Sequence, residues 1–179
     1  MATQRITKAA APARKPKAPT KKVVSVDKTN KASKASDYEG ARQLLSRYCA
    51  CIDQGKLLEL SELFHPQAIF SVSFDNKPNH VGRAAILAWY SEFFRPRRGK
   101  FRFPRHKLFE PYLVLAGNAA TASSYFDSDF VEANGTVRIL AGRYDDVLVK
   151  ERGRWLFKQR TITVCYHYSP GKGQLGMKH

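Results

Sequence analysis

An aspartate in the last turn of a helix is an uncommon place for a charge, and Asp53 holds such a place in Arg47-Tyr48-Cys49-Ala50-Cys51-Ile52-Asp53-Gln54-Gly55. An ionised carboxylate there faces the negative end of the helix dipole, at a cost of roughly 0.3 to 1 kcal/mol. Such a charge calls for a partner. A second concentration of chemistry is the run from Arg95 to Arg105, where Arg95, Arg97, Arg98, Lys100, Arg102 and Arg105 are interleaved with Phe101 and Phe103 without an acid. Basic residues among aromatics can hold single-stranded nucleic acid. They can equally rim a pocket for an anionic small molecule, the preferred reading here because the run leads directly into His106. Tyr125, Asp127 and Asp129 share one strand face by period-two alternation, which suits a cavity lining or solvent. The same alternation groups Arg160 with Leu156 and Ile162 rather than with Trp155 and Phe157, and leaves open which face is interior. His65, His80, His167 and His179 show no partner pattern and are read as structural or exposed. No metal-ligand spacing is visible, so a site without metal or cofactor is expected.

These side chains need elements to place them. Ala41, Leu44, Leu45, Tyr48 and Ile52 recur at spacings of three and four, so they form one stripe of a helix with Asp37 as its N-cap and Gly55 as its stop. Tyr48 sits in that stripe, which makes a core tyrosine its default role. Leu57, Leu60, Leu63 and Phe64 fit a second short helix closing at His65-Pro66. Ala68 to Phe74 alternates as a strand, and a third helix follows Gly82, with Ala85, Ile86, Trp89, Tyr90 and Phe93 on one side and Pro96 at its end. Arg95 to Arg105 reads as a long irregular loop. Four strands then follow, at His106 to Leu115, Thr121 to Glu132, Thr136 to Lys150 and Arg154 to Tyr166. Their separators, Gly117-Asn118, Asn134-Gly135 and Arg152-Gly153, tolerate the positive backbone angles of hairpins. The order predicts an α+β domain, with three N-terminal helices packed on a curved, mostly antiparallel sheet in which bulges are expected.

The chain has 179 residues and a formal charge of +16, enough length for one domain and a tail. Residues 1–36 hold ten basic side chains, one acid and no aromatic residue, and are expected to be a disordered basic tail. The domain is expected over 37–168, with a flexible tail at 169–179. A basic arm can give salt-sensitive phosphate binding, so nucleic acid is a secondary partner class. No apolar run reaches the roughly 20 residues of a membrane span, and no secretory leader is visible. The expectation is a cytoplasmic protein without membrane contact. Three cysteines without a Cys-x-x-Cys pair are read as reduced thiols.

The order of elements and several short motifs resemble the SnoaL-like branch of the NTF2-like superfamily, whose fold is a cone-shaped α+β domain. The motifs are Leu44 to Asp53, Leu63-Phe64-His65-Pro66, Trp89-Tyr90, Arg105-His106, Gly142-Arg143-Tyr144-Asp145-Asp146 and Gly153-Arg154-Trp155-Leu156-Phe157. That superfamily includes bile acid 7α-dehydratase, scytalone dehydratase and hexachlorocyclohexane dehydrochlorinase, and also oxygenase small subunits. The resemblance implies a catalytic dyad of Asp53 and His106, with Tyr48 and Arg160 completing the site. It also suggests Asp129 as the acid that follows the histidine. Tyr125, Trp89, Arg97 and Arg98 are the further candidates for binding substrate. A neutral imidazole can remove a proton from carbon beside a carbonyl or ring, and a carboxylate on its other nitrogen fixes the tautomer. A phenol and a guanidinium can donate hydrogen bonds to the developing oxyanion or the leaving group. The implied function is a cofactor-independent lyase of dehydratase type, or an isomerase, acting on a polycyclic or aromatic compound that is hydrophobic or anionic. A coenzyme A thioester is one such substrate. The alternative is a non-catalytic module binding a ligand or partner. The implied assembly is a homodimer through the outer face of the sheet, with a trimer as the other possibility.

Overall fold

Every member of the predicted stripe is buried: Ala41, Leu44, Leu45, Tyr48 and Ile52 lie against the inner face of the sheet. Each of Leu44, Leu45 and Ile52 taken from water stabilises the fold by roughly 1.5–3 kcal/mol. The computed structural model describes the backbone of residues 24–172 and the side chains of 33–171. Its elements are α1 (Val24–Asp53), α2 (Leu57–Ser61), β1 (Phe64–Val72), β2 (His80–Val81), α3 (Arg83–Phe94), a 3-10 turn (Arg95–Arg97), β3 (Phe101–Leu108), β4 (Tyr112–Ala116), β5 (Ala119–Glu132), β6 (Thr136–Glu151) and β7 (Arg154–Lys172). The three helices pack on a curved, open sheet of order β2-β1-β7-β6-β5-β3, and β4 also pairs with β5. Among the described residues only β1 and β7 run parallel.

Several boundaries differ from the sequence reading. Asp37 does not cap α1, which starts at Val24. Asp37 lies within the helix, and its carboxylate accepts a hydrogen bond from Lys150 Nζ of β6. Once the packed segment has formed, each added residue extends a helix at little cost, and alanine and lysine favour it. The boundary placed at residue 36 therefore falls inside α1, and the remainder of the predicted tail, 1–23, lies outside the described residues. At the other end 169–172 belong to β7, paired with Thr136 and Val137 of β6, whereas 173–179 are outside the described residues.

Phe64-His65-Pro66 begins β1 instead of ending a helix, because Phe64 pairs with Phe157 of the parallel strand β7. The expected single strand from His106 to Leu115 is two strands, β3 and β4, interrupted at Pro111. Half of the expected Arg95 to Arg105 loop is strand as well. From Phe101 onward it has a partner in β5, and pairing overrides a composition that reads as loop.

The β6–β7 ladder shifts register at Ala141/Gly142, where the two strands approach closely. A methyl group at Gly142 would stand 2.3 Å from the Thr163 carbonyl oxygen and 2.7 Å from the Phe126 ring. Gly142→Ala is accordingly expected to lower stability by about 1–3 kcal/mol, the range for overpacking. Urea denaturation reads this directly, and a variant as stable as the native chain would contradict the close approach.

Candidate active site

The last turn of α1 explains the misplaced charge. Gly55, at φ 67°, donates to the Ile52 carbonyl and Lys56 to the Cys51 carbonyl, so the helix closes in a left-handed cap immediately after Asp53. This stop leaves the Asp53 side chain facing β3. There its Oδ2 accepts the His106 backbone N–H at 3.0 Å, and its Oδ1 lies 2.6 Å from His106 Nδ1. Two donors from one residue offset the unfavourable dipole. They also fix the imidazole with Nδ1 protonated, leaving Nε2 as an acceptor.

A bulge aims His106 inward. The β3–β5 register shifts between Arg102 and Arg105, where Phe103 has φ 55° and Pro104 follows. Strict alternation would put Phe101 and His106 on opposite faces. The extra residue brings Phe101, Pro104 and His106 all to the inner face, where they line one cavity of about 470 Å³. The other walls are largely aromatic: Phe74, Trp89, Phe93 and Phe94 on the helical side, Phe126, Phe130 and Tyr144 on the sheet. Among the described residues His106 Nε2 has no protein partner, so the cavity supplies its surroundings.

The Tyr48 and Tyr90 hydroxyls are 2.5 Å apart, and both rings line the same cavity as the histidine. Burial pushes the Tyr48 phenol up to about 12, with the Arg160 charge and the Tyr90 hydrogen bond pulling it the other way. Both hydroxyls therefore stay protonated at neutral pH. One proton lies between the two oxygens, and the other remains available to an acceptor.

A family match covers residues 33–161, which correspond to a SnoaL-like domain. The chain belongs to the SnoaL-like family. Solved structures agree on the fold. A scytalone dehydratase-like protein from Novosphingobium aromaticivorans is 18% identical, with 83% of this chain and 99% of that chain covered at a TM-score of 0.67. An NTF2-like protein with a cystatin-like fold from the same organism is 21% identical, over 80% of this chain and 91% of that one, with a TM-score of 0.65. A type 2 hexachlorocyclohexane dehydrochlorinase is 11% identical, over 82% and 97%, with a TM-score of 0.70. No curated protein matches the chain by sequence.

Within this SnoaL-like domain the predicted site residues divide into two groups. Asp53, His106, Tyr48, Trp89 and Arg97 gather at or immediately behind the cavity wall. Trp89 stacks on Phe93, with centroids 5.0 Å apart, and its Nε1 donates to Asp75 Oδ2 at 2.6 Å. Arg97 lies 4.0 Å over the Phe93 ring and donates to the Phe93 carbonyl.

Arg160, Asp129, Tyr125 and Arg98 do not line the cavity. Arg160 is fully buried behind Tyr48 and forms a two-pronged pair with Asp146, at 2.8 Å on each arm. Asp129 and Tyr125 are on the outer face of β5, since Phe126, Ser128 and Phe130 are the residues that turn inward. Arg98 is exposed beyond the 3-10 turn.

Asp129 instead ties β5 to β3, accepting from Arg105 at 2.8 and 2.7 Å and from Lys107 at 2.8 Å. The Arg105 hydrogen bonds, then Lys107, hold its carboxyl down at about 2 against desolvation. A depressed carboxyl stabilises the fold above its unfolded value and loses that contribution as pH falls through the folded one. Asp129→Asn is thus expected to cost about 1 kcal/mol at pH 7, allowing for the solvent around Arg105. The gap between variant and native should close between about pH 4 and pH 2. Melting curves across that window check the sign.

Two clusters escaped the sequence reading. Asp75 accepts from His80 Nε2 at 2.7 Å as well as from Trp89, and the Lys77 N–H followed by His80 holds its carboxyl below the usual range. No local spacing joins Asp75 and His80 to Trp89, because a turn and a helix separate them. Tyr90 was placed on the apolar side of the third helix and Asp146 was visible only within the motif Gly142 to Asp146; their pairings with Tyr48 and Arg160 were not foreseen. Of the other histidines, His65 Nε2 is 3.1 Å from Glu151 and His167 lines the cavity, while His179 is outside the described residues. Cys49 and Cys51 are buried free thiols and Cys165 is exposed; burial raises Cys49 to about 11, which leaves it unreactive. Among the described residues no three His, Cys, Asp or Glu side chains converge as a metal would require, and no helix there is long and apolar enough to cross a membrane.

Proposed function

We propose that this SnoaL-like protein is a cofactor-independent lyase or isomerase that acts on an aromatic or polycyclic small molecule, with His106 as the base and Asp53 as its positioning partner. The observation that carries this reading is the Asp53 carboxylate spanning the Nδ1 and backbone N–H of His106, with the ring set into an aromatic wall. In that geometry Nε2 is the basic nitrogen, and it takes a proton from carbon adjacent to a carbonyl. The C–H electron pair moves into an enolate, whose oxygen accepts a hydrogen bond from the O–H of the Tyr48–Tyr90 pair that is not used between the two tyrosines. In an elimination the enolate collapses to a carbon–carbon double bond as the β-substituent leaves, and the imidazolium proton neutralises a departing hydroxide. In an isomerisation the same proton returns to a different carbon. Arg160 contacts no substrate in this scheme; it supports the Tyr48 ring from behind, at 3.8 Å.

Proton abstraction precedes both outcomes, so one assay covers them. A panel of β-hydroxy aryl ketones in deuterated water is followed by NMR for α-hydrogen exchange and by absorbance for the conjugated product. The native chain should exchange the α-hydrogen faster than buffer, and His106→Gln should not. If no member of the panel is exchanged or dehydrated, the reading fails.

A further inference from the structure

The charge around the cavity is unbalanced at one point. The wall contains Arg97, Arg138 and Glu132 as its formally charged groups, with His106 and His167 as titratable neighbours. Arg138 Nε is 3.0 Å from Glu132 Oε1, so those two neutralise one another. Arg97 has no carboxylate partner among the described residues, although it is half-buried and burial alone lowers its pKa. Its one protein hydrogen bond there goes to the Phe93 carbonyl, and the flat of the guanidinium covers the Phe93 ring. A guanidinium carries five N–H donors, so most of the fork remains unused. A partly desolvated cation without a counter-charge raises the free energy of the empty cavity, and an anion entering the cavity reduces that cost.

We infer that Arg97 is an anion subsite, and that the ligand of this cavity is an aromatic carboxylate whose rings lie against the Trp89–Phe93 stack while its carboxylate meets the Arg97 fork. This deepens the proposed function and rests on the same cavity, but it does not use the Asp53–His106 pair. The stack supplies apolar contact to the cavity, with Trp89 and Phe93 inclined by only 11° and Trp89 held in place by Asp75. The run Arg95 to Arg105 contributes this one basic side chain to the cavity, beside Phe101 and Pro104, and its exposed members add a general positive field.

The test compares 2-naphthoate with 2-naphthamide, which share shape and differ in charge, by isothermal titration calorimetry on the full chain. Native protein should bind naphthoate about tenfold or more tightly than the amide, the scale of one charge-assisted hydrogen bond. Arg97→Met should bring the two within about twofold, and Arg97→Lys should keep most of the preference because it retains the charge. Naphthoate binding that is absent or no tighter than the amide's in the native chain, or a preference that survives in Arg97→Met, overturns the inference. Asp53→Asn should leave the preference intact. Exchange activity without a naphthoate preference would defeat the anion subsite alone; a preference without exchange activity would defeat the lyase reading alone.

Discussion

Replacing Asp146 with asparagine is expected to destabilise the domain by about 3–5 kcal/mol, the cost of stranding a buried charge. The Asp146 and Arg160 side chains have no solvent exposure, and Arg160 Nη1 already lacks a protein partner among the described residues. The guanidinium is enclosed by the Tyr48, Phe157 and Tyr144 rings at 3.8, 4.1 and 4.3 Å. Burial works to lower its pKa, but the Asp146 charge and hydrogen bonds outweigh that and keep it above the ordinary arginine value. Neutralising Asp146 removes that support and leaves burial opposing the charge, but a guanidinium is basic enough to keep its proton, so an unpaired cation is stranded away from water. For a domain of this size the loss corresponds to roughly 10–15 °C in melting temperature. The double variant Asp146→Leu with Arg160→Met should recover much of it, since removing both charges removes the desolvation penalty. An Asp146→Asn chain within 1 kcal/mol of native, on the scale of an exposed pair, would show that this pair does not carry the weight assigned to it.

Asp53→Asn should lower the rate of proton exchange by about 100- to 10,000-fold, the contribution of a positioned acid–base group. An asparagine amide can turn its NH₂ toward Nδ1, which then becomes the acceptor and forces the proton onto Nε2. The base would be present in the same place with its lone pair on the wrong nitrogen. Two readouts separate this from simple unfolding. The ¹⁵N shifts of His106 should report the Nδ1–H tautomer in native protein and its loss in the variant, while binding of 2-naphthoate is retained. Unchanged exchange in Asp53→Asn would remove Asp53 from the mechanism.

Much of the architecture was legible because it follows from local rules. The α1 stripe, the Ile86 and Tyr90 side of α3, and hairpins at Gly117, Asn134-Gly135 and Arg152-Gly153 each depend on a few adjacent residues whose periodicity or backbone freedom leaves few alternatives. Asp53 could be singled out for the same reason, since its position relative to the helix dipole is a property of the sequence. The start of α1 was not legible, because the capping preference of Asp37 is small beside continued helix propagation and the contact with Lys150.

The sequence by itself determined where α1 and α3 stop, the chain order of most strands, and the presence of an acid in the last turn of α1 and a histidine in a later strand. Tertiary structure alone decided which side chains face the cavity. Period-two alternation gives a strand's faces only while the register is unbroken, and here it breaks at the places that matter. At Phe103-Pro104 the bulge turns Phe101 and His106 to one side, and between Phe157 and Gln159 another shift lets Phe157 and Arg160 both point inward. Arg160 thus became the partner of Asp146 instead of a substrate contact, and Asp129 became a tie between strands. A bulge is fixed by the fit of one whole strand against its neighbours, and no short window of residues contains that information.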